Sequence, residues 1–413
     1  MYSISVLEWL FGLLVLIVFV NRYVLGTMLR LGDRRTELAS SPEPTHYPSV
    51  AIVVPVFCEG DSVIKTADSF AALDYPRDKL TVVFIDDCST DDTYEHLKTA
   101  VRRHPWMRLR QNPHNMGKRL GIKQAVLDIE SELIMSVDSD VIVESNVVRR
   151  LVAHMRSSSA DAVGGCVFVS NANATWLTRM QAVKYWVGYQ FLKNLENRFD
   201  HVMCLSGCLT LYKREALLAV DEHLENRTFL GDEVKYGEDR FLTRKLVEAG
   251  YRARLCFDAR CYTKAPPTMP TYLNQQLRWR RSNIIDFLTA IPNLNKFNAA
   301  VLIHYMSLGM LLFFYPLFII SKMLEAKFAI PILLHALMVS IFAFAYELKK
   351  NELPEFARTN GIWFLSMAAV FPVVYLTMTP LALFTLGTTS WETRGAKPAN
   401  AAPLQPALAG TGG

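Results

Sequence analysis

Four apolar stretches near the two ends of the chain constrain its fold more than any other feature. One runs from about Ile4 to Val20, and three follow the middle of the sequence, near Ala299–Ile320, Phe328–Ala345 and Ile362–Leu386. A helix needs roughly 20 apolar residues to cross hydrocarbon, so each stretch is a candidate membrane span. No small-residue cleavage site follows the first stretch, which predicts a retained membrane helix over residues 1–26.

Basic residues around the first and last apolar stretches indicate how the chain is oriented. By the positive-inside rule, the arginines after the first stretch place the segment 27–47 in the cytoplasm: Arg22, Arg30, Arg34 and Arg35. The last stretch contains Pro372 and Pro380, which interrupt helical hydrogen bonding, and basic residues flank both of its ends. Two interpretations stay open for it, a single crossing and a re-entrant hairpin.

The residues between the apolar stretches have the pattern of a separate α/β domain over about 48–290. Four β-branched runs alternate there with helical stretches: VAIVVPVF, LTVVFIDD, LIMSVDSD and AVGGCVFV. Strands that are followed by helices predict parallel pairing, with helices on both faces of the sheet.

Composition excludes two other classes of protein. The net charge is only +5 in 413 residues, whereas nucleic-acid binders concentrate basic residues on one face, so no nucleic-acid partner is expected. The seven cysteines form no CxxC pair and no zinc spacing with histidine, which predicts free thiols in a reducing compartment.

Acidic pairs end two of the predicted strands. Asp86 and Asp87 end LTVVFIDD, while Asp138 and Asp140 follow LIMSV. Residues i and i+2 of a strand share a face, and ligands of open α/β sheets bind at the carboxyl ends of strands. Two carboxylates there repel each other unless a cation lies between them, and oxygen ligands favour Mg²⁺ or Mn²⁺. The alternative is an acidic turn that caps the next helix.

Two predicted helix starts carry further polar groups. NMGKRLG (Asn115–Gly121) combines backbone amides with Lys118, which suits a diphosphate. GEDR (Gly237–Arg240) opens a helix with Glu238 and Asp239, and the simplest interpretation is that the helix dipole favours acids there. The functional interpretation is that Asp239 is a general base that takes the proton of an attacking hydroxyl.

The ordered set of motifs resembles the processive family-2 glycosyltransferases, the membrane-embedded synthases of hyaluronan, chitin, cellulose and nodulation chitooligosaccharides. PVFCEG, IDDCSTDD, NMGKR, DSD, SGCLTLYKRE, GEDR and QQLRW occur in family-like order from about Val50 to Arg281. The arrangement of apolar stretches and TWLTR (Thr175–Arg179) are most similar to chitooligosaccharide synthases, whereas RTFLGDEVKYGEDR (Arg227–Arg240) is more similar to hyaluronan synthases. The resemblance implies an α/β GT-A-like, Rossmann-like domain in the cytoplasm over 48–290. Interfacial and transmembrane helices over 291–390 would then form a channel in a bacterial-type inner membrane.

The resemblance also implies which residues bind the sugar donor. Asp86 or Asp87 would contact the uracil of a UDP-sugar, and Lys118 would lie near the nucleotide. Asp138 would meet the ribose or phosphate side, and Asp140 would ligate the Mg²⁺ or Mn²⁺ with Asp138 beside it.

The catalytic and acceptor residues are implied in the same way. Asp239, next to Glu238, would activate the acceptor hydroxyl for a single inverting displacement that forms a β-linkage. Gln275, Arg278 and Trp279 match the family's QxxRW motif. Trp279 would stack on the acceptor sugar, and Arg278 would neutralise charge on the departing diphosphate.

Two segments depart from the family pattern. Relatives carry Trp-Gly-Thr-Arg near the end, where this chain has Trp391, Glu392, Thr393 and Arg394. In the family this loop gates the nucleotide site, so Trp391 and Arg394 are expected to contact substrate in a carboxyl-terminal segment, 391–413, that ends in a disordered tail. Cys208 replaces a proline that relatives often have after Ser-Gly, which leaves acceptor preference open.

The expected activity is therefore polymerisation of N-acetylglucosamine from UDP-GlcNAc, alone or alternating with UDP-glucuronate, with extrusion of the product. The expected partners are the UDP-sugar, the growing polysaccharide and membrane lipids, and the oligomeric state stays open. Three alternatives remain at this point. They are a UDP-glucose-dependent β-glucan synthase, a non-processive transferase acting on a lipid phosphate, and an inactive membrane subunit.

Overall fold

The computed structural model describes residues 6–25, 28, 46–220, 222, 227–234, 236–327 and 329–387. The described strands are β1 Val50–Val56, β2 Leu80–Asp86, β3 Met107–Gln111, β4 Leu133–Ser136, β5 Ile142–Val143, β6 Ala162–Val169, β7 Thr210–Lys213, β8 Thr228–Phe229, β9 Asp232–Glu233 and β10 Ala253–Thr263. The described α-helices are α1 Val6–Phe19, α2 Ser62–Ala71, α3 Thr93–Arg103, α4 Lys118–Asp128, α5 Val147–Ser158, α6 Trp176–Val187, α7 Lys193–Arg198, α8 Arg214–Ala219, α9 Glu238–Glu248, α10 Met269–Ala290, α11 Ala299–Leu324, α12 Ala329–Lys349 and α13 Phe364–Phe384.

Eight of the described strands form one mixed sheet in the order β3-β2-β1-β4-β7-β6-β10-β5. The four predicted runs are strands β1, β2, β4 and β6, and every residue of β1 and β6 is buried. Such fully buried strands are typical of a sheet that is covered on both faces. The remaining pair, β8 and β9, forms a small hairpin of its own.

The expectation of parallel pairing is wrong for two strands. β1 is parallel to β2 and β4, as predicted, but β7 is antiparallel to both β4 and β6, and β5 is antiparallel to β10. The register pairs Thr210, the first residue of β7, with Ser136, the last residue of β4. The chain therefore enters β7 at the carboxyl edge of the sheet and must run in the opposite direction.

Three described helical segments are long and apolar enough to cross a membrane, judged by length and composition: Ala299–Leu324, Ala329–Glu352 and Glu355–Phe384. The last contains α13, which continues without a break through Pro372 and Pro380. At 1.5 Å per residue, this helix is roughly 30 Å long. The hairpin interpretation is therefore wrong for α13, which is a single helix.

The amino-terminal apolar stretch is also helical. Helix α1 and a π-helical segment after it cover Val6–Leu25, and α1 packs against α11. That residues 1–26 cross a membrane stays a prediction. Most of the predicted linker 27–47 lies outside the described residues.

Helix α10 joins the sheet to the apolar helices. It packs against α9 on one side and against α11 and α13 on another, while α6 also contacts α13. A continuous hydrophobic core extends from β1 to Phe342 of α12 and Phe364 of α13. All seven cysteines are free thiols, as the sequence predicts.

Candidate active site

A buried ion cluster lies at the carboxyl edge of the sheet, and three segments contribute to it. Lys118 begins α4, Asp138 follows β4, and Glu238 begins α9. The Lys118 ammonium contacts Asp138 Oδ1 and lies 3.1 Å from Glu238 Oε1. Burial alone lowers the pKa of Lys118, but these two carboxylates together raise it well above its ordinary value. The lysine is therefore a fixed cation at this edge.

Gly207 makes room for this cluster. The residue lies in the loop before β7, and a Cβ added to it would overlap the Lys118 ammonium. The same Cβ would lie 3.5 Å from Asp138 Oδ1 and 3.7 Å from Glu238 Oε1. The sequence motif around Gly207 predicted an acceptor-side segment, and the close approach of its backbone to Lys118 was not predicted.

Asp239 lies next to the ion cluster, in the first turn of α9. Its Oδ2 accepts a hydrogen bond from the Gly207 amide at 3.4 Å, and its Oδ1 accepts one from the Arg240 amide at 2.8 Å. Burial and the neighbouring charge of Glu238 raise the pKa of Asp239 above its ordinary value. Burial also acts on Glu238, but Lys118 lowers the pKa of Glu238 below the ordinary value. Two adjacent carboxyls whose pKa values move apart are suited to different roles, with Asp239 as the more basic.

Helix α10 brings the QxxRW residues to the start of α9. Gly237 caps α9 with a positive φ of 69°, and a Cβ there would overlap the side chain of Ser282 on α10. Lys118 is the main group that lowers the pKa of Glu238, and the charge of Arg278 contributes to the same shift. The ring centroid of Trp279 lies 6.3 Å from that of Tyr185 on α6.

Asp87 holds the loop that leads into α4. Its carboxylate accepts hydrogen bonds from Asn112 Nδ2 at 2.9 Å and from the amides of Met116 and Gly117 at 2.8 Å each. These bonds fix the backbone directly before Lys118. Asp87 is therefore needed to hold the loop before α4. Its contact with uracil stays a prediction.

Asp86, the last residue of β2, is fully buried. Its Oδ2 accepts hydrogen bonds from Gln111 Nε2 at 2.9 Å and from the Ser89 amide at 3.3 Å. Among the described residues, Oδ1 has no hydrogen-bond partner. A buried carboxylate oxygen without a donor is costly, so a ligand that donates to Oδ1 would stabilise the site.

Asp138 and Asp140 lie two residues apart in the chain, directly after β4. Burial raises the pKa of Cys208 well above its ordinary value, and the charges of both carboxylates add to this shift. Asp140 Oδ2 also accepts a hydrogen bond from Thr263 Oγ1 at 2.8 Å. No group of three or more His, Cys, Asp or Glu that could hold a metal occurs in the described part of the chain. Two carboxylates nevertheless fit Mg²⁺ or Mn²⁺, because such ions in nucleotide sites take their other oxygens from phosphates and water.

The remaining predicted site residues divide into two groups. Gln275 lies on α10 with its Oε1 buried and without a hydrogen-bond partner among the described residues. Trp391, Glu392 and Arg394 lie outside the described residues, so the gating segment stays a prediction.

Comparisons with known proteins identify the family to which the chain belongs. The profile of a family described as "Glycosyltransferase like family 2" matches residues 48–282, more than half of the chain. The chain belongs to glycosyltransferase family 2. This family-2 glycosyltransferase is 34% identical over 258 residues to an N-acetylglucosaminyltransferase of Azorhizobium caulinodans, covering 60% of this chain and 64% of that protein. An N-acetylglucosaminyltransferase of Rhizobium leguminosarum bv. viciae is 35% identical over 265 residues, covering 63% and 62%. The chain spans less than two thirds of the length of these relatives.

A solved structure shows the same fold. The mannosyltransferase PcManGT from Pyrobaculum calidifontis, solved in complex with GDP-Man and Mn²⁺, aligns with a TM-score of 0.55 at 19% identity. The alignment covers 91% of this chain and 96% of the mannosyltransferase. The predicted GT-A-like fold of this family-2 glycosyltransferase is confirmed.

Proposed function

We propose that this family-2 glycosyltransferase adds N-acetylglucosamine from UDP-GlcNAc to a growing polysaccharide of the hyaluronan or chitin type, with inversion at the anomeric carbon. The observation that carries the proposal is the position of Asp239, which has a raised pKa, bonds to the Gly207 loop beside Lys118, and lies on the helix that packs against α10. The relatives named N-acetylglucosaminyltransferases support the choice of sugar.

The reaction is a single displacement. The acceptor hydroxyl attacks the anomeric carbon of the donor, and its proton passes to the Asp239 carboxylate as the new C–O bond forms. The bond between the anomeric carbon and the diphosphate breaks, and its electron pair leaves with UDP. Because attack comes from the face opposite UDP, the product has a β-linkage.

Positive groups stabilise the departing diphosphate. Arg278 lies close to Glu238 on the α9 side of the site, and Lys118 lies within the ion cluster. A fixed cation near the developing negative charge lowers the energy of the transition state, because it needs no reorganisation. A bound Mg²⁺ or Mn²⁺, held by Asp140 and Asp138, would add further neutralisation of the diphosphate.

Processive synthesis and a membrane location belong to the same proposal. The three apolar helical segments would cross a bacterial inner membrane, with the sheet domain in the cytoplasm. Trp279 lies on the helix that joins the two parts, where its ring would cover the apolar face of an acceptor sugar. The product would leave along the helices that pack against α10.

The test uses the purified full-length protein in lipid nanodiscs with Mg²⁺ or Mn²⁺ and labelled UDP-GlcNAc, with and without UDP-glucuronate. A chitinase-sensitive product from UDP-GlcNAc alone supports the chitin type. A product that needs both donors and yields to hyaluronidase supports the hyaluronan type. Turnover of UDP-glucose alone, or transfer of a single sugar to a lipid phosphate, overturns the proposal. Excess EDTA should stop synthesis, and added Mg²⁺ should restore it.

A further inference from the structure

Two basic residues lie near the tryptophan of the QxxRW motif, Lys184 on α6 and Arg280 on α10. Lys184 projects from α6, and its ammonium donates a hydrogen bond to Gln276 Oε1 at 2.6 Å. The same ammonium lies 5.2 Å from the ring centroid of Trp279 and 5.5 Å from that of Phe371 on α13. The guanidinium of Arg280 lies 3.9 Å from the ring centroid of Tyr375, also on α13. We call Lys184 and Arg280 the acceptor-side pair.

Among the described residues, the acceptor-side pair has no counter-ion. Across the described ranges, neither Lys184 nor Arg280 forms an ion pair with a carboxylate, although only 8% of Arg280 is exposed. Aromatic faces offset part of the cost of burying a cation, but they leave its net charge in place. Burial, together with the charge of Arg280, lowers the pKa of Lys184 to about 7. Within the described part of the chain, Lys184 and Arg280 are thus two basic groups whose charges repel each other and that lack a carboxylate partner.

The other polar groups of the pocket are hydrogen-bond donors without acceptors. The Tyr272 side chain is fully buried, and its hydroxyl has no partner among the described residues. Gln276 is 8% exposed; its Oε1 accepts from Lys184, which leaves its Nε2 as an unpaired donor. A buried donor without an acceptor costs free energy. Tyr272, Gln276 and Arg280 are spaced four residues apart on α10, and Lys184 lies against the first two, so an anionic acceptor group would satisfy donors of neighbouring side chains.

The walls of the pocket indicate what carries the anion. Trp279, Tyr272 and Phe371 surround the Lys184 ammonium at 5.2 to 5.7 Å, and Tyr185 lies beside Trp279. Flat aromatic faces cover the apolar face of a pyranose ring. A sugar that carries a carboxylate could stack its ring on the aromatic side chains and accept hydrogen bonds from the donors at the same time. A lipid headgroup supplies the anion but has no flat apolar face for these rings.

We propose that Lys184, Arg280, Tyr272 and Gln276 form a carboxylate-binding subsite that takes an acidic sugar of the acceptor chain, next to the sugar stacked on Trp279. This inference rests on the proposed function and extends it, because it makes the polymer an acidic one that contains uronate residues. Among the two product types above, it favours the one built from two donors.

The test measures binding, without turnover, to the full-length protein in phosphatidylcholine nanodiscs with UDP present. The ligands are an alternating glucuronate–GlcNAc tetrasaccharide and neutral chitotetraose. Isothermal titration calorimetry measures the affinity of each. We expect the acidic ligand to bind roughly tenfold more tightly, because it gains charge-assisted hydrogen bonds. Lys184→Gln and Arg280→Gln should each remove most of this preference, whereas Lys184→Arg should retain it.

Arg281→Gln is the matched control, since Arg281 lies one residue further along α10 and donates to Thr385 Oγ1 at 3.0 Å. This variant should keep the preference for the acidic ligand. Unchanged UDP affinity in every variant shows that the fold is intact.

Three outcomes of the binding measurements overturn the inference. The first is equal or tighter binding of chitotetraose, and the second is binding of neither tetrasaccharide while UDP still binds. The third is that phosphatidylglycerol nanodiscs abolish binding of the acidic ligand and that the Lys184→Gln variant regains this binding. The third would assign the pocket to an anionic lipid. Transfer of GlcNAc from UDP-GlcNAc to chitotetraose with no preference for the acidic acceptor would overturn this inference alone. Absence of any UDP-GlcNAc turnover would overturn the proposed function instead.

Discussion

The donor and acceptor sides of this family-2 glycosyltransferase treat buried charge in opposite ways. On the donor side, Lys118 is held by two carboxylates, Asp138 and Glu238. On the acceptor side, Lys184 and Arg280 lie among aromatic rings without a carboxylate from the described residues. The first arrangement is electrostatically complete without substrate, whereas the second becomes complete only when an anion binds.

The largest expected effect comes from the donor side. Asp239→Asn should keep UDP binding and reduce sugar transfer by about 10²–10⁴-fold, because the attacking hydroxyl loses its base. Initial rates with saturating UDP-GlcNAc, together with UDP titrations, check both parts. Asp78→Asn, the same change at an exposed carboxyl before β2, is the control and should leave both rates and affinity intact. Near-normal transfer by Asp239→Asn would remove Asp239 as the base.

A second prediction contrasts a paired buried cation with an unpaired one. Arg244 on α9 is 1% exposed, and its Nε donates to Asp286 Oδ1 on α10 at 2.7 Å. Arg244→Met leaves the buried Asp286 carboxylate without its ion-pair partner, although Tyr305 Oη still donates to its Oδ2 at 3.1 Å, so it should destabilise the fold by about 3–5 kcal/mol. Lys184→Met leaves no carboxylate unpaired and removes only the hydrogen bond to Gln276 Oε1, so it should destabilise the fold by only about 1 kcal/mol. Thermal unfolding midpoints in detergent compare the two, and equal losses would contradict the distinction.

A third prediction concerns the space that the donor side requires. Gly207→Ala adds a methyl group against the Lys118 ammonium, so the ion cluster must move or the loop must shift. Overpacking of this kind costs about 1–3 kcal/mol, so UDP-GlcNAc affinity and transfer should fall by roughly tenfold or more. In Gly188→Ala, the added Cβ meets nothing within 4 Å, and this control should behave as the unaltered protein. Equal UDP-GlcNAc affinity and equal transfer rates in the two variants would show that the close approach of Gly207 to Lys118 does not affect function.

The smallest effect is a pH dependence of the acceptor side. The pKa of Lys184 is lowered to about 7 in the free pocket, and a bound carboxylate would raise it again. Affinity for an acidic acceptor should therefore be full below about pH 7 and fall as the pH rises above it, by at most roughly tenfold per pH unit.

Of the groups that face Lys184, Phe371 and Trp279 carry no charge and burial raises the pKa of Tyr272, so the lysine is the group that titrates near neutrality. Calorimetry at pH 8 in two buffers of different ionisation enthalpy should detect proton uptake on binding. The same affinity at pH 6.5 and pH 8.5 would contradict the assignment.

The two sides also differ in how well the sequence predicts them. Asp86, Lys118, Asp138 and Asp239 each lie at a strand end or helix start, so local pattern was enough to identify them as site candidates. The same rule found β1, β2, β4 and β6, whose apolar runs need no tertiary information.

Other features depend on contacts between distant segments. The reversed direction of β7 follows from where the chain re-enters the sheet, and no residue of Thr210–Lys213 encodes that position. Lys184 in TWLTRMQAVKYWV resembles an ordinary solvated lysine of an amphipathic helix, and it becomes a buried cation only because α10 and α13 pack over it. The sequence offered only a weak signal of this burial, which is a lysine among aromatic residues in a helix that packs beside an apolar span.

The contacts between α9 and α10 have a mechanical consequence. Gly237 abuts Ser282 at one point, and Arg244 is bonded to Asp286 at a second point further along both helices. Two contact points restrict sliding and pivoting of the two helices against each other. They therefore keep the spacing between Asp239 and the QxxRW residues constant. In the processive cycle proposed above, this spacing would stay constant while the sugar chain advanced by one ring per step.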